Sequence, residues 1–470
     1  MSHIYVTKLI LETQSPMAIN SGHREEGFDT QLAREVNGLP YIPASAIAGV
    51  WRHLAHQRLA DDGLPLASWF GTTEGASRLT ISHGIVHDSQ NRPVSPLMPA
   101  QDIANDPILS RLALARPHHR ERVAVNDRGA AKETGKFDQI LLPKGVRFSV
   151  TLQWHSDEMS EHEQQQWQAL LALWADRHFT LGASSRNGLG QIKVIACEQT
   201  SFDLMQGPSA GQALQQFLHS ENTSTQPLTP ADDRHQRRLA SLPLQAVDNW
   251  RCGSGTTRLG DHDTGNDIGI KTYSEPEIHW QANGGAFSEP RPILCGSSIK
   301  GILAHRLAYH VRRHQADWAE DRDTMTHAEW QVRPDALSSL FGAATSSQGE
   351  GIAGHLFIDD ADVTDYRTTV RTHNRIDRFT GGVQQGGLFS EELLYQPKFT
   401  LNIWVSQNTR LSSTLQAALA DTIEDLRQGL LPMGAGSGRG TSLVMPQTGA
   451  EWIVNWSALE TENLETERAQ

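Results

Sequence analysis

The stretch Tyr41-Ile-Pro-Ala-Ser-Ala-Ile-Ala-Gly-Val-Trp51 is written a second time as Pro292-Ile-Leu-Cys-Gly-Ser-Ser-Ile-Lys-Gly-Ile-Leu303, with Pro43 opposite Cys295 at an offset of 252. The run Leu181-Gly-Ala-Ser-Ser-Arg-Asn-Gly-Leu-Gly190 returns as Met433-Gly-Ala-Gly-Ser-Gly-Arg-Gly440, with Gly182 over Gly434 at the same offset. Between these lie Asn126-Asp-Arg-Gly-Ala-Ala131, Phe137 and Leu141-Leu-Pro-Lys144. They match Ile376-Asp-Arg-Phe-Thr-Gly-Gly382, Phe389, Leu393-Leu394 and Pro397-Lys398, with Asp127 over Asp377 at 250. Phe70-Gly71 and Phe341-Gly342 keep the order at a looser 271. Ordered matches at nearly one spacing indicate a duplicated unit.

Each copy then reads as the same series of elements. Ile4, Val6 and Ile10, and in the second copy Leu242, Leu244 and Ala246, alternate as in a half-buried strand. Ile47, Val50, Trp51 and Leu54, or Ile299, Ile302, Leu303 and Leu307, follow at helical spacing, with Ser45 and Ser297 placed as caps. An insertion with short strands comes next. A second helix then runs through Trp167, Leu170, Leu171 and Trp174, or Leu415, Leu419, Ile423 and Leu426. The glycine run and a closing strand, Gly190–Ile195 in the first copy, end the unit. This β-α-(ββ)-α-β order predicts an α+β chain of two tandem ferredoxin-like domains. The domains span residues 1–200 and 240–456, with a polar linker over 201–239 and a polar tail over 457–470.

A chain of 470 residues with 38% hydrophobic and 7% aromatic residues has enough apolar material for two to four globular cores, which rules out a disordered chain. No apolar stretch approaches the ~20 residues of a membrane span, and no apolar segment follows a basic start, so a cytoplasmic protein without membrane contact is expected. Cys197, Cys252 and Cys295 lie far apart without paired spacing, which indicates neither a disulfide framework nor a zinc knuckle. The formal net charge of −13 is the reverse of that of an autonomous nucleic-acid binder. A polyanion would have to meet local basic surfaces or a larger assembly, and the isolated chain should bind RNA weakly.

Several segments could supply such surfaces. The glycine runs allow positive φ and close approach of backbone N–H groups to a phosphate or base, with Arg186 or Arg439 adding a cation; a helix C-cap and tight turn is the plainer reading. Arg111, Arg116, Arg120, Arg122 and Arg128 outnumber the acids of the first insertion, and Arg367, Arg371, Arg375 and Arg378 those of the second. Arginine forks suit phosphate, although a charge run is equally a solvated loop. The small and hydroxylic helix starts at Ser45 and Ser297 leave N–H groups free for anions, and Lys300 adds a charge only in the second copy. The acidic loop Ser21-Gly-His-Arg-Glu-Glu-Gly-Phe-Asp29 precedes the first helix; an aspartate facing a phosphodiester can hold a divalent cation, activate a nucleophile or orient the phosphate, and otherwise serves as a turn or cap residue. Asp261-His-Asp-Thr-Gly-Asn-Asp267 is a candidate carboxylate cluster that lacks the full spacing and closing Glu of a calcium loop.

Taken together, I-P-x-S-x-[IL]-x-G at a helix start, the Phe-Gly pair, Ile376-Asp-Arg-Phe-Thr-Gly-Gly-Val-Gln-Gln-Gly-Gly-Leu-Phe-Ser-Glu-Glu392 and the terminal glycine run resemble the RAMP superfamily, and within it the backbone subunits of type III CRISPR effector complexes. The resemblance covers both halves and implies a fusion of two RRM-like units. It implies a β-hairpin thumb in each, near Arg122–Leu142 and Arg371–Leu394, pressing into a duplex of guide crRNA and complementary target RNA, with other effector subunits as neighbours. Under it Ser45, Arg122, Arg128, Gly182, Arg186, Gly188, Ser297, Lys300, Arg375, Arg378, Gly434, Gly436 and Arg439 are expected to contact RNA.

Gly27-Phe-Asp29, followed by Asn37-Gly-Leu-Pro-Tyr-Ile-Pro43, matches the family's catalytic loop, so the resemblance makes Asp29 the residue for target cleavage and for holding Mg²⁺ or another divalent cation. The second copy departs from that pattern. Counting back from Cys295 lands near Gln281, and the nearest acids are Glu275, Glu277 and Asp267, of which Asp267 is the candidate. Three other readings stay open: a scaffold of the same complex without catalysis, a metal-independent guide-processing nuclease using a histidine such as His23 or His53, and a binder of a small phosphate metabolite.

Overall fold

The computed structural model describes residues 2–25, 29–59, 64–94, 96–125, 131–157, 160–220, 228, 237–262, 267–322, 326, 332–343, 351–406 and 409–461. The first half places β1 (His3–Thr13), α1 (Ala44–Arg58), β2 (Leu79–Ile81), the hairpin β3 (His118–Val125) and β4 (Ala131–Leu141), β5 (Arg147–Ser156), α2 (Glu161–Ala172) and β6 (Ile192–Asp203) in order. A further helix, α3 (Pro208–His219), follows. The second half repeats the plan as β7 (Arg238–Ala246), α4 (Gly296–His314), β8 (Leu356–Ile358), the hairpin β9 (Arg367–His373) and β10 (Phe389–Tyr395), β11 (Lys398–Val405), α5 (Ser413–Arg427) and β12 (Val444–Pro446). The sheets run β2-β5-β1-β6 and β8-β11-β7-β12, antiparallel throughout. Each has the strand order of a ferredoxin-like domain, so the duplicated α+β fold is as expected.

The helices bury the stripes their spacing marks out. Ile47, Trp51 and Leu54 of α1 pack with Trp167, Leu170 and Leu171 of α2, and Trp51 Nε1 donates to the Leu170 carbonyl at 2.9 Å. Five tryptophans form the first core, with ring centroids of Trp69 and Trp154 4.2 Å apart and those of Trp51 and Trp174 5.5 Å apart. Leu415, Leu419, Ile423 and Leu426 of α5 pack with Ile299, Leu303 and Leu307 of α4 in the second.

Three expectations are corrected. First, β1 is buried continuously from Ile4 to Leu11 rather than on one face, because α3 covers the far side. Lys8 Nζ donates to the Ser220 carbonyl at 2.7 Å and stands 4.7 Å from the centre of the Phe217 ring, sheltering its charge over an aromatic face. The region 201–239 is therefore not a plain linker: β6 runs to Asp203 and α3 belongs to the first half, while residues 221–227 and 229–236 lie outside the described ones. Second, the assigned tail is ordered to Thr461, with Ala458 and Leu459 buried and Glu460–Thr461 paired to Arg410–Leu411; residues 462–470 lie outside the described ones.

Third, Ser45 and Ser297 do not cap. The cap positions are Pro43 and Cys295, and neither makes a side-chain cap bond. The open amides are met from elsewhere: Ala44 N–H donates to His83 Nδ1 at 3.0 Å, and Gly296 N–H donates to Asp360 Oδ1 at 2.7 Å.

The halves share a broad seam. A hairpin of the second half, Ile278–Gln281 with Gly284–Phe287, reaches onto the first, where Ile278 joins the first core. Trp280 Nε1 donates to the Gly145 carbonyl at 2.7 Å, and the Arg147 and Arg111 guanidinium groups stand 4.1 and 4.5 Å from the Trp280 and Phe287 ring centres.

Candidate nucleic-acid interface

The first hairpin starts at the seam. Arg120 on β3 is buried between two carboxylates of the second half, Nε to Glu275 Oε1 at 2.5 Å and Nη2 to Asp360 Oδ2 at 2.7 Å; His118 and Tyr273 also contact Glu275, at 3.1 and 2.5 Å. Burial alone would weaken these charges, yet the Asp360 and Glu275 carboxylates hold the Arg120 guanidinium well above its ordinary value, and Arg120 holds Glu275 well below its own.

The basic run of the first insertion is thus largely engaged rather than an open phosphate surface, Arg116 being its exposed member among the described residues. Arg120 is a strut and Arg111 lies over Phe287. Arg122 is half-buried beside Cys295, with Nε and Nη2 lacking hydrogen-bond partners, and burial followed by the Arg120 charge lowers its pKa. Arg128 lies outside the described residues.

Beyond the seam the hairpin opens to solvent, where Val123 and Phe137 are exposed. At the base of this edge three outward amides, those of Asp138 and Ile140 on β4 and of Leu142 just past its end, are taken by the loop after β1. Leu142 N–H donates to the Met17 carbonyl at 2.8 Å, Ile140 N–H to Thr30 Oγ1 at 2.9 Å, and Asp138 N–H to Asp29 Oδ2 at 3.1 Å. Side chains here continue a ladder that backbone began. Asp29 is exposed, so its carboxylate faces solvent at the hairpin edge.

In the second half Asp267 adjoins the matching edge of the second hairpin. Ile268, its neighbour, pairs with Ser390 of β10, the residue 252 positions after Asp138. Counting along the chain missed this because the approach to β10 is a separate strand, Ile268–Ile270. Glu275 and Glu277, the other nearby acids, are engaged in the seam: Glu277 pairs with Lys144 at 2.9 Å and with Arg291 at 3.3 Å.

Arg375 and Arg378 lie on the tip of the second hairpin. Arg375 exchanges backbone bonds with Gly387 and Gln384, and the Asp377 carboxylate accepts from the Phe379 and Thr380 amides, which lower its pKa. That turn lifts Phe379 to 99% exposure. At its base Glu391 is fully buried, 2.6 Å from His373, with Arg251 at 3.6 Å and Arg439 at 3.8 Å. Glu392 accepts from the Leu259 and Gly260 amides at 3.0 Å. Sequence reading assigned this glutamate pair no role; Glu391 ties the hairpin to the second glycine run and Glu392 ties it to the loop at Leu259–Gly260.

The two glycine runs share a backbone but have different surroundings. Both adopt a short 3₁₀ turn between left-handed residues, Ser184 and Gly188 in the first, Gly436 and Gly440 in the second. A Cβ on Gly182 would meet the Ala18 carbonyl at 2.4 Å, and one on Gly434 the Arg251 carbonyl at 2.7 Å, so packing within each half requires both. The first run is then covered by the second half. A Cβ on Gly188 would meet the Ile358 carbonyl at 2.8 Å, Arg186 donates to the Gly354 carbonyl and stands 5.4 Å from the Phe357 ring centre, and Lys300 Nζ lies 3.5 Å from the Arg186 carbonyl. Burial, then the Arg186 and Arg333 charges, lowers the Lys300 pKa to about 8.

By contrast, residues 437–440 of the second run are exposed. Of the paired helix starts, Ser45 is exposed and Ser297 half-buried. The structure therefore gathers Arg186, Gly188, Ser297 and Lys300 at the seam, and sets Gly434, Gly436 and Arg439 beside the second hairpin.

Among the described residues no group of three or more His, Cys, Asp or Glu side chains could hold a metal ion. Asp29 offers one hard carboxylate. Such a donor suits Mg²⁺ only together with substrate phosphate oxygens and water, which is a usual mode for that ion.

The model of the RAMP superfamily matches residues 10–193 and 282–444. The chain belongs to the RAMP superfamily. Both halves of this RAMP chain carry the match, in line with the repeated fold. No curated protein matches it. A similar solved structure is described as a cryo-EM structure of the Type III-B Cmr-beta bound to cognate target RNA; the likeness has a TM-score of 0.29 and 14% identity, and covers 42% of this chain and 60% of that one. No helix among the described residues is long and apolar enough to cross a membrane.

Proposed function

We propose that the chain is a backbone subunit of a type III CRISPR effector complex, binding guide crRNA and complementary target RNA beside neighbouring subunits and cutting the target at Asp29. Asp267 is the corresponding acid of the second half. The observation that carries this reading is the placement of the acids. Asp29 is bonded to the outer edge of one hairpin, and Asp267 adjoins the equivalent edge of the other.

In this reading the exposed hairpins meet the duplex, and the exposed second glycine run with Arg439 offers N–H groups and a guanidinium to phosphate. Target choice comes from base pairing, so the protein needs only to hold backbone and shape. Asp29 lies where a phosphodiester against the first hairpin would lie. Its carboxylate would hold Mg²⁺ jointly with phosphate oxygens, and the bound ion supplies neutralisation of charge developing on the phosphate.

The test is cleavage by the reconstituted complex carrying Asp29→Ala. Guide and target binding should survive while one cut position disappears, and Asp267→Ala should remove a different one. A product ladder unchanged by Asp29→Ala would overturn the assignment and leave a scaffold.

A further inference from the structure

We propose that Thr30 is a positioning residue for the Asp29 cut, its hydroxyl setting the register of the acid on the first hairpin. The inference rests on the reading of Asp29 given above.

The outward amides at residues 138 and 140 of β4 and at 142 just past its end recur every second residue, as on any strand edge. A neighbouring strand would meet them with backbone carbonyls. Only Leu142 is met that way, in mutual bonds with Met17. Ile140 is met by the Thr30 hydroxyl and Asp138 by the Asp29 carboxylate.

The acid thus lies one ladder step beyond the threonine. If the Thr30 bond is lost, the Ser21 N–H to Gln31 carbonyl and Ala33 N–H to Ile19 carbonyl bonds still close the loop on itself, but apart from the Asp29 bond its described backbone tie to the hairpin edge is at Met17. The Asp29 bond would then have to fix both the loop and the acid, although the carboxylate is also the group that must face the scissile phosphate.

The second half supports this assignment by contrast. There the approach to the hairpin is held by strand pairing, Ile268 with Ser390 and Ile270 with Glu391, so the position of Asp267 does not depend on a side-chain hydroxyl. In the first half the described loop pairs with the hairpin edge through backbone at Met17 and Leu142, twelve residues before Asp29, and the Thr30 hydroxyl makes the bond next to the acid.

The experiment uses the assembled complex with guide and a complementary target, comparing Thr30→Ala, Thr30→Ser and Asp29→Ala in single turnovers. Thr30→Ala should slow the cut that Asp29→Ala abolishes by about tenfold, the scale expected for one lost hydrogen bond that orients a reacting group. Cuts at other positions and target affinity should not change. Thr30→Ser keeps the hydroxyl and should stay within about twofold of the parent. Hydrogen exchange at the Ile140 amide should quicken in Thr30→Ala and not in Thr30→Ser.

A Thr30→Ala complex cutting that position at the parental rate, while Asp29→Ala does not cut it, would overturn the positioning role and leave Asp29 standing. Equal slowing at every position, or a Thr30→Ser variant as slow as Thr30→Ala, would overturn it too. An Asp29→Ala complex with an unchanged ladder would remove both readings together.

Discussion

His87 is buried in the first half, between Asn91 at 3.0 Å and Ser149 at 2.7 Å. Burial is the main cause lowering its pKa to about 4, against an ordinary 6.5. The unfolded chain therefore takes up a proton before the folded one does. This contribution to stability is complete above pH 6.5 and is lost as the pH falls towards 4, by on the order of 3 kcal/mol. Urea midpoints measured from pH 7 to 4.5 should fall accordingly, and His87→Gln should flatten that decline. Single residues of this kind are hard to read from sequence. His87 and His83 look alike as letters, yet one is buried and neutral while the other is exposed and receives a helix amide. Arg120 reads as one more cation in a basic run, because the carboxylates that claim it lie 155 and 240 residues away.

Elements were more legible. Ile47, Trp51 and Leu54, or Leu415, Leu419 and Leu426, recur at helical spacing because each helix packs within its own half, so its partners leave a local record. The caps left none, since His83 and Asp360 reach the helix starts from distant loops. The glycine runs were legible as turns but not as surfaces. Their structures align with Arg186 over Gly438 and Asn187 over Arg439, so a one-residue difference sends one arginine into the seam and the other towards Glu391. Gly188→Ala and Gly440→Ala separate these environments. Both strain a left-handed residue by about 1 kcal/mol, but only at Gly188 does the new carbon meet the backbone of the other half. Thermal melts should show a markedly larger loss for Gly188→Ala.

For the molecule as a whole, the seam makes the two halves a single cooperative body. Arg120→Ala would leave Glu275 and Asp360 buried without their cation, a loss of about 3–5 kcal/mol. Calorimetry should then resolve two transitions where the parent shows one. The sequence marks two units but not this dependence: Trp280 and Phe287 lie in the second unit by position and pack on the first. Nor are the surfaces that meet at the seam equivalent. The first half contributes its glycine run and hairpin base, the second its helix start and the end of β8. Repeating such an unlike contact leaves a socket on one flank and a plug on the other, so the molecule has a direction. At the first half's helix start His83 occupies the place Asp360 holds in the seam, so an arginine like Arg120 would meet an imidazole where the seam offers that carboxylate. A second copy of the chain is thus a poor fit for its own socket, and growth by self-stacking should stop at one.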